Sequence, residues 1–311
     1  MKEIVNRNAS YDVFAKRLLS SKSILARILK YTAVEFSHCT EDDIAKKYIE
    51  GEPYLTVNEF EVDDTLLIKG SRTEENSPRE GLITYDIKFD VIAPVDGSII
   101  KMIINIEAQK KYKTGYPLLK RAIYYAARLI SSQKERDFRG SDYGRIKKVY
   151  TIWVCMDVPK YLANSIQRYN LRKEDVHGSV NVKNSDYDLI TIVMLNLGEG
   201  KMSNDLLGLL HLLFLDMLSS DEKVNILRDR YAMPLTARMK EDLDKMGSNL
   251  MQAAIDVAIR NAALKGEKDG ERAERIKSIR SLMETMTWTA QQAMNALKIP
   301  ASEQSEYLAL L

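Results

Sequence analysis

Two acidic side chains and one amide occupy positions from which they could act together on a substrate. The segment "IINIEAQ" ends an apolar run with Glu107 and Gln109, two residues apart and therefore on the same face of a strand. A second apolar run, "LITYDIKFDVIAP", carries Asp86. A buried carboxylate is unfavourable unless a proton, a partner or a cation compensates its charge, so Glu107 is an unusual residue for such a strand.

The turn between these two runs predicts how they pair. Asp96-Gly97 is a strong signal for a two-residue hairpin turn, because both turn positions need positive φ. A hairpin with this turn places Asp86 opposite Glu107, with Cβ atoms roughly 4.5–5.5 Å apart. Asp90 shares the strand face of Asp86 and replaces it as the candidate if a bulge near Pro94 shifts the register.

Two opposed carboxylates repel each other unless a proton or a cation lies between them, and they therefore indicate a cation site. Mg²⁺ favours one or two carboxylates together with waters and phosphate oxygens, and Mn²⁺ accepts similar ligands. Cys39 and Cys155 are far apart and the three histidines are scattered, so we expect oxygen ligands. A second interpretation stays open, since polar faces of half-buried strands often carry acidic residues without any task.

Around this hairpin, the apolar patterns predict an α/β protein. Helical spacing covers residues 10–36, with an interruption near "SSKS", and a further amphipathic helix covers residues 117–134. Two apolar strands, "KKVYTIWVCMDVP" and "DLITIVMLNLG", precede a buried helix, "DLLGLLHLLFLDML". This order of elements predicts an α/β core with a mixed sheet.

Composition limits the classes of protein that the chain can be. With 311 residues, 45% of them hydrophobic and 29% charged, the chain can build a core and is not a disordered protein. Lys and Arg number 46 against 44 for Asp and Glu, so net charge neither demands nor excludes a nucleic-acid partner. We see no signal peptide and no run near the roughly 18 apolar residues of a membrane span. We therefore expect a cytoplasmic protein without a membrane partner.

The sequence predicts a main domain over residues 1–250 and a helical extension over residues 251–311. From about Ala253 the chain becomes charged and helix-prone, and its last thirty residues suggest two short helices. The charged stretch leaves three interpretations open: an oligomerising helix of a homodimer, a DNA-binding arm, or a solvated linker. We favour a helical linker to a small two-helix module.

Three phrases resemble one family over most of residues 10–200: "EGLITYDIKFDVIAP", "IINIEAQKKYKTGYPLLKRAIYYAARLISSQ" and "DYGRIKKVYTIWVCMDVP". They are similar to the transposase-like, recombination-promoting branch of the PD-(D/E)XK nuclease superfamily, and "AMNALKIPASEQSEY" extends the resemblance more weakly to the tail. The resemblance implies a restriction-endonuclease-like core, in which helices flank a mixed central β-sheet. It also implies Mg²⁺-dependent hydrolysis of DNA phosphodiester bonds, with Mn²⁺ as a substitute metal.

Carried onto this sequence, the resemblance makes Asp86 and Glu107 the catalytic metal ligands. Gln109 is the third catalytic residue and replaces the lysine that the superfamily usually has there. A lysine can stabilise developing negative charge, whereas an amide offers only dipoles and hydrogen bonds. The sequence therefore predicts a metal-dependent DNA endonuclease linked to recombination or mobile elements. The alternative is a nuclease-fold protein that binds nucleic acid or a protein partner without cutting.

Three further residues are candidates for completing the site. Lys88 and Lys111 share faces with the catalytic residues by strand alternation and could supply the missing charge, although each also fits a solvated lysine. Glu35 is the candidate for the upstream helical glutamate that often completes sites of this superfamily. Its other interpretation is a charged residue at a helix end.

The helix after the hairpin is the candidate DNA-binding element. Its polar side carries Lys120, Arg121, Tyr125 and Arg128, and the last three recur at helical spacing as one stripe. Basic side chains with interleaved aromatics suit contact with a phosphate backbone. A solvated amphipathic helix would show the same pattern, and adjacency to the catalytic strand favours DNA binding.

Overall fold

In the computed structural model of the protein, the described residues are 11, 13–55, 74–77, 81–95, 98–198 and 205–311. The chain forms two compact units that divide between Asn249 and Leu250. The described α-helices that lie wholly in the first unit are α1 (13–19), α2 (Lys22–Thr32), α3 (Glu41–Asp43), α4 (Leu118–Ser131), α5 (Asp205–Phe214) and α6 (Ser220–Asp229). Its described strands are β1 (Ile49–Leu55), β2 (Glu74–Ser77), β3 (Gly81–Thr84), β4 (Ile87–Val95), β5 (Ser98–Lys111), β6 (Lys148–Asp157), β7 (Ser165–Asn170) and β8 (Ile190–Asn196).

Six of the strands form one mixed sheet in the order β1-β4-β5-β6-β8-β7, and β2 pairs with β3 in a separate ribbon. Strands β5, β6 and β8 run parallel, while β1, β4 and β7 add antiparallel pairings. Helix α4 lies in the crossover between β5 and β6, as a parallel connection requires. The predicted mixed sheet flanked by helices is confirmed. The edge strand β7 was not predicted, because its polar, half-exposed residues show no apolar alternation.

The hairpin of β4 and β5 has the predicted register. Ile87 pairs with Ile106, and Val95 pairs with Ser98, which leaves a two-residue connection between the strands. The turn residues Asp96-Gly97 themselves lie outside the described residues. Because the register continues without a shift along the whole ladder, the end of β5 beyond Ile106 lies beside the residues that precede β4.

The regular alternation of β4 ends at a bend formed by Asp86. Tyr85, directly before the bend, packs in one cluster with Trp153. The Lys88 ammonium lies 5.3 Å from the centroid of the Tyr85 ring, so Tyr85 and Lys88 lie on the same side of the sheet. The bend therefore removes Asp86 from the ladder of β4.

Helices cover both faces of the sheet. Helix α4 packs against the face that carries Val149 and Trp153. Just before α1, Tyr11 donates a 2.7 Å hydrogen bond to the carbonyl of Phe214 in α5, and its hydroxyl lies 3.6 Å from the sulfur of Met156. Met156 points to the opposite face of β6 from Trp153, so α1 lies on the other side of the sheet from α4.

The predicted helical segments agree with these elements in position. The first helical pattern is interrupted where expected, since α1 ends at residue 19 and α2 begins at Lys22. Helix α7 (Ala237–Met286) includes Gly266 and Gly270, the two glycines of the charged stretch. Helices α8 (Ala290–Ala296) and α9 (Ala301–Leu308) complete the second unit.

The second unit has its own small core. Its buried residues are Ile279, Ala293, Met294, Ile299 and Tyr307. A capping box between Thr289 and Gln292 satisfies backbone N–H groups at the start of α8. Among the described helices of the whole chain, none combines the length and the apolar character needed to cross a bilayer.

Candidate active site

Asp86 and Glu107 meet where β5 passes the bend before β4. The backbone N–H of Asp86 donates to Glu107 Oε1 at 3.3 Å, and the backbone N–H of Ala108 donates to Asp86 Oδ2 at 2.9 Å. Each acidic residue is therefore bound to the strand segment that carries the other. Glu107 is 4% exposed. The structure thus brings together the two carboxylates that the hairpin register placed opposite each other.

The Glu107 carboxylate lies in an unfavourable environment for its charge. Its pKa is raised well above the usual range, first because burial removes it from water and second because the Asp86 carboxylate repels it. Hydrogen bonds from the Asn105 side chain and the Asp86 backbone, together with the positive charge of Arg121, act in the opposite direction and only partly compensate. A proton or an added cation would relieve this pair.

A lysine that the sequence did not single out contacts this pair. The ammonium of Lys16, on α1, lies 2.8 Å from Asp86 Oδ1, and the two side chains are 14% and 18% exposed. The contact joins the first described helix to the hairpin. Because it is long-range, no spacing within either segment could have indicated it.

Gln109 follows Glu107 by two positions but is oriented along its own strand. Its amide nitrogen donates to the carbonyl of Lys111 at 2.5 Å. Across the sheet it pairs with Cys155, where burial raises the thiol pKa to about 12. Cys155 is therefore a protonated core thiol, and oxygen atoms remain the available metal ligands at this end of β5.

The two lysines that were expected on these strands differ from each other. Lys88 is fully buried beside the Tyr85 ring, so the interpretation of Lys88 as a solvated lysine was wrong. It pairs with Asn105 on β5, two positions before Glu107. Lys111 is exposed at the end of β5.

Glu35 and Asp90 are not brought to the acidic pair. Glu35 accepts hydrogen bonds from Lys148 Nζ at 2.8 Å and from the Tyr150 hydroxyl at 2.6 Å. The side chains of Lys148 and Tyr150 point to the opposite face of β6 from Trp153, which pairs with Glu107. Glu35 therefore lies on the opposite face of the sheet from Glu107. Asp90 lies 3.9 Å from Lys147 Nζ, further along β4. Its substitution for Asp86 would have required a register shift that the ladder does not show.

The predicted DNA-binding residues of α4 have different exposures. Lys120 is exposed, and Arg121 is held by the hydroxyls of Tyr116 and Tyr125 at 3.1 and 3.0 Å. The Arg121 guanidinium also lies 5.0 and 5.2 Å from the ring centroids of Tyr125 and Trp153. Arg121 and Tyr125 both interact electrostatically with Glu107, so they lie near the acidic pair, and Arg121 is pre-oriented by its aromatic neighbours.

Arg128 departs from the prediction because its side chain is buried, at 5% exposure. It donates to the Tyr124 hydroxyl at 3.3 Å. Conversely the apolar side chain of Ile123 is 49% exposed. The orientation of α4 thus places Arg128 against the protein instead of facing solvent.

A cavity of about 430 Å³ lies away from the acidic pair. Its lining includes Arg17, Arg27, Tyr231, Met239 and Asp242. Asp242 is 3% exposed, and burial raises its pKa to about 6 although Arg17 lies 3.3 Å away and opposes the shift. None of the site residues predicted from the sequence lines this cavity.

The donor set of Asp86 and Glu107 suits a hard cation. In the part of the chain that the structure describes, no three His, Cys, Asp or Glu side chains cluster closely enough to hold a metal ion. Mg²⁺ needs only one or two carboxylates, since waters and substrate phosphates complete its shell. The buried, repelling charges of the pair are what such an ion would compensate.

Among known protein families, one matches the segment that contains Asp86 and Glu107. A family model described as "PD-(D/E)XK nuclease family transposase" matches residues 84–227. The match includes both acidic residues, Gln109 and helix α4, whereas Lys16 and Glu35 lie outside it. The chain matches no curated protein and no solved structure.

Proposed function

We propose that this protein is a metal-dependent DNA endonuclease acting in recombination or on mobile elements, since the family model of the PD-(D/E)XK nuclease family transposases matches residues 84–227. The observation that carries the proposal is the reciprocal pairing of Asp86 with Glu107. Two strand segments hold these carboxylates together although each disfavours the charge of the other. Strain of this kind is common at functional sites and has no evident use in a purely structural sheet.

Asp86 and Glu107 would hold Mg²⁺, with Mn²⁺ as a substitute, because their oxygen atoms are the ligands that such ions prefer. Bound there, the ion would polarise the scissile phosphoryl group and lower the pKa of an attacking water. The protein fixes both carboxylates through backbone N–H groups, so they are oriented before substrate arrives. Gln109, partly exposed at the end of the same strand, can offer its amide to a water or a phosphate oxygen.

DNA would lie along the exposed side of α4, next to the acidic pair. Lys120 is free to approach a phosphate from solvent, and Arg121 presents a guanidinium held by two tyrosines. Tyr125 packs edge-on against Tyr85, with ring centroids 5.5 Å apart, and so links α4 to the bend at Asp86. Contacts of this type position a phosphate backbone without reading its sequence.

The test is nicking of supercoiled plasmid by purified protein with Mg²⁺, with Mn²⁺ and with a chelator. We expect cleavage that needs metal and that falls roughly 100-fold in the Asp86→Asn protein, a typical cost of removing one charge-stabilising group. The matched control is Asp90→Asn on the same strand, which should cut as the wild type does because Asp90 lies beside Lys147.

Equal loss of cleavage in both variants would contradict the assignment of Asp86. If no cleavage occurs with either metal on supercoiled, single-stranded or branched DNA while DNA binding persists, the protein is the non-cutting alternative. Cleavage that survives both the chelator and Asp86→Asn would show that the activity does not belong to this site.

DNA binding gives a separate prediction for α4. Replacing the exposed Lys120 by Ala should weaken binding to all sequences and lower the slope of log affinity against log salt by about 0.9, because one phosphate contact is lost. Fluorescence anisotropy at several salt concentrations measures both quantities. The control is Lys101→Ala, an exposed lysine near the start of β5, far along the strand from Glu107. An unchanged salt slope in the Lys120 variant would place the DNA elsewhere.

A further inference from the structure

We propose that Lys16 is a cationic residue of the nuclease site. It supplies the positive charge that the amide at Gln109 lacks. Its ammonium neutralises Asp86 before metal binds, and it stabilises the negative charge of the scissile phosphate once metal and DNA are in place. This inference rests on the proposed function. It adds a residue that lies outside the family-matched segment.

The contact itself is direct and partly shielded from water. Lys16 Nζ lies 2.8 Å from Asp86 Oδ1, while the other carboxylate oxygen accepts the backbone N–H of Ala108. At 14% and 18% exposure the two charged side chains are screened less than a surface pair would be. Lys16 is therefore held at the acidic pair and does not merely pass near it.

The other polar groups described near the pair have contacts of their own or are exposed to solvent, whereas Lys16 contacts one of its carboxylates directly. The amide nitrogen of Gln109 donates to the Lys111 carbonyl. The Lys88 ammonium lies over the Tyr85 ring, and the Lys111 side chain is exposed at the end of its strand. Arg121 lowers the pKa of Glu107 electrostatically, but its guanidinium is bonded to two tyrosine hydroxyls.

Helix α1 is built to hold Lys16 in this position. Ala15, Leu18 and Leu19 are fully buried, and Tyr11 bonds to the carbonyl of Phe214. The helix therefore belongs to the core of the first unit, and its lysine approaches Asp86 from the side of the sheet opposite α4. A charge supplied in this way makes a lysine on β5 unnecessary.

The same contact predicts competition with the metal. The oxygen atom that Lys16 occupies, Asp86 Oδ1, is one that a hard cation would use. Removal of the ammonium should therefore favour metal binding while it removes charge stabilisation from the reaction. A residue that only supported the fold would change both properties in the same direction.

The experiment measures Mn²⁺ binding by titration calorimetry and single-turnover plasmid nicking at saturating Mn²⁺. The proteins are the wild type, Lys16→Met, Lys16→Gln, Lys16→Arg and the control Lys101→Met. For Lys16→Met we expect Mn²⁺ affinity about two- to fivefold higher, the effect of losing a weak ion pair. We expect nicking roughly 100-fold slower. Lys16→Arg should cut within about tenfold of the wild type, because it keeps the charge but changes its geometry.

Lys16→Gln keeps a hydrogen-bond donor for Asp86 and provides the same comparison if the Met variant does not fold. Wild-type nicking by the folded Met or Gln variant would overturn the inference, as would a parallel loss of Mn²⁺ affinity and cleavage. A wild-type protein that neither binds Mn²⁺ nor nicks DNA would instead overturn the proposed function, and this inference with it.

Discussion

The Glu107→Gln protein should lose metal-dependent cleavage and yet be more stable than the wild type at neutral pH. The substitution preserves the size of the side chain and an oxygen atom that can accept the Asp86 N–H. It removes a buried negative charge that the Asp86 carboxylate repels. We expect nicking to fall about 1000-fold or more, the upper end of the cost of losing one charge-stabilising group. The free energy of unfolding should rise by about 0.5–2 kcal/mol, the usual size of a stabilising substitution.

The gain in stability should depend on pH in a defined direction. Because the pKa of Glu107 is higher in the folded protein than in the unfolded chain, the folded state binds this proton more tightly. The stabilisation from that proton is fully present below the ordinary glutamate pKa and is lost as the pH rises through the folded-state pKa. The Gln variant has no such loss. Its advantage in the free energy of unfolding should therefore be small at about pH 5, close to the ordinary glutamate pKa, and larger at about pH 8.

Chemical denaturation of the metal-free proteins at both pH values measures this difference. The matched control is Glu174→Gln, which replaces an exposed glutamate and should change neither stability nor cleavage by much. A Gln variant that is less stable than the wild type at both pH values would contradict a strained carboxylate pair. Saturating Mn²⁺ should reverse the order of stability, because only the wild type keeps both ligands for the ion.

The parts of the site that local chemistry dictates could be predicted from the sequence. The Asp96-Gly97 sequence signal predicted the register of β4 against β5, and the ladder that starts at Ile87 and Ile106 leaves Asp86 beside Glu107. Apolar runs and helical spacing likewise located β6, β8 and α4. The family resemblance, drawn over most of residues 10–200, named the family whose model matches residues 84–227.

The parts that depend on long-range packing could not be predicted in this way. Lys16 reaches Asp86 only because α1 packs on the sheet, and helical spacing carries no information about that contact. Arg128 lies on the stripe of Arg121 by spacing, but the orientation of α4 against the sheet buries it. Glu35 comes from the expected upstream segment. Its partners Lys148 and Tyr150, however, point to the face of the sheet opposite Glu107, because side chains alternate along β6.

The buried position of Glu35 predicts a second large effect: loss of its partner Lys148 should strongly lower the stability of the protein. Glu35 is 7% exposed and binds Lys148, which is 9% exposed and also contacts Asp188 at 2.6 Å. The pKa of the Tyr150 hydroxyl is raised well above its usual range by burial and by the Glu35 charge, so Tyr150 remains a hydrogen-bond donor to Glu35. Lys148→Met would leave Glu35 buried without its cation. We expect a loss of about 3–5 kcal/mol in the free energy of unfolding.

A double-mutant cycle separates this scaffold role from a catalytic one. In the protein that carries both Glu35→Gln and Lys148→Met, no uncompensated charge remains between the two positions. The combined loss of stability should therefore be smaller than the sum of the single losses, by about 0.5–3 kcal/mol. The Glu35→Gln protein, assayed where it is fully folded, should nick plasmid at close to the wild-type rate, because Glu35 lies on the opposite face of the sheet from Glu107. A folded Glu35→Gln protein without cleavage would mean that Glu35 moves to the metal ligands when DNA binds, and the sheet would then have to rearrange to bring the two faces together.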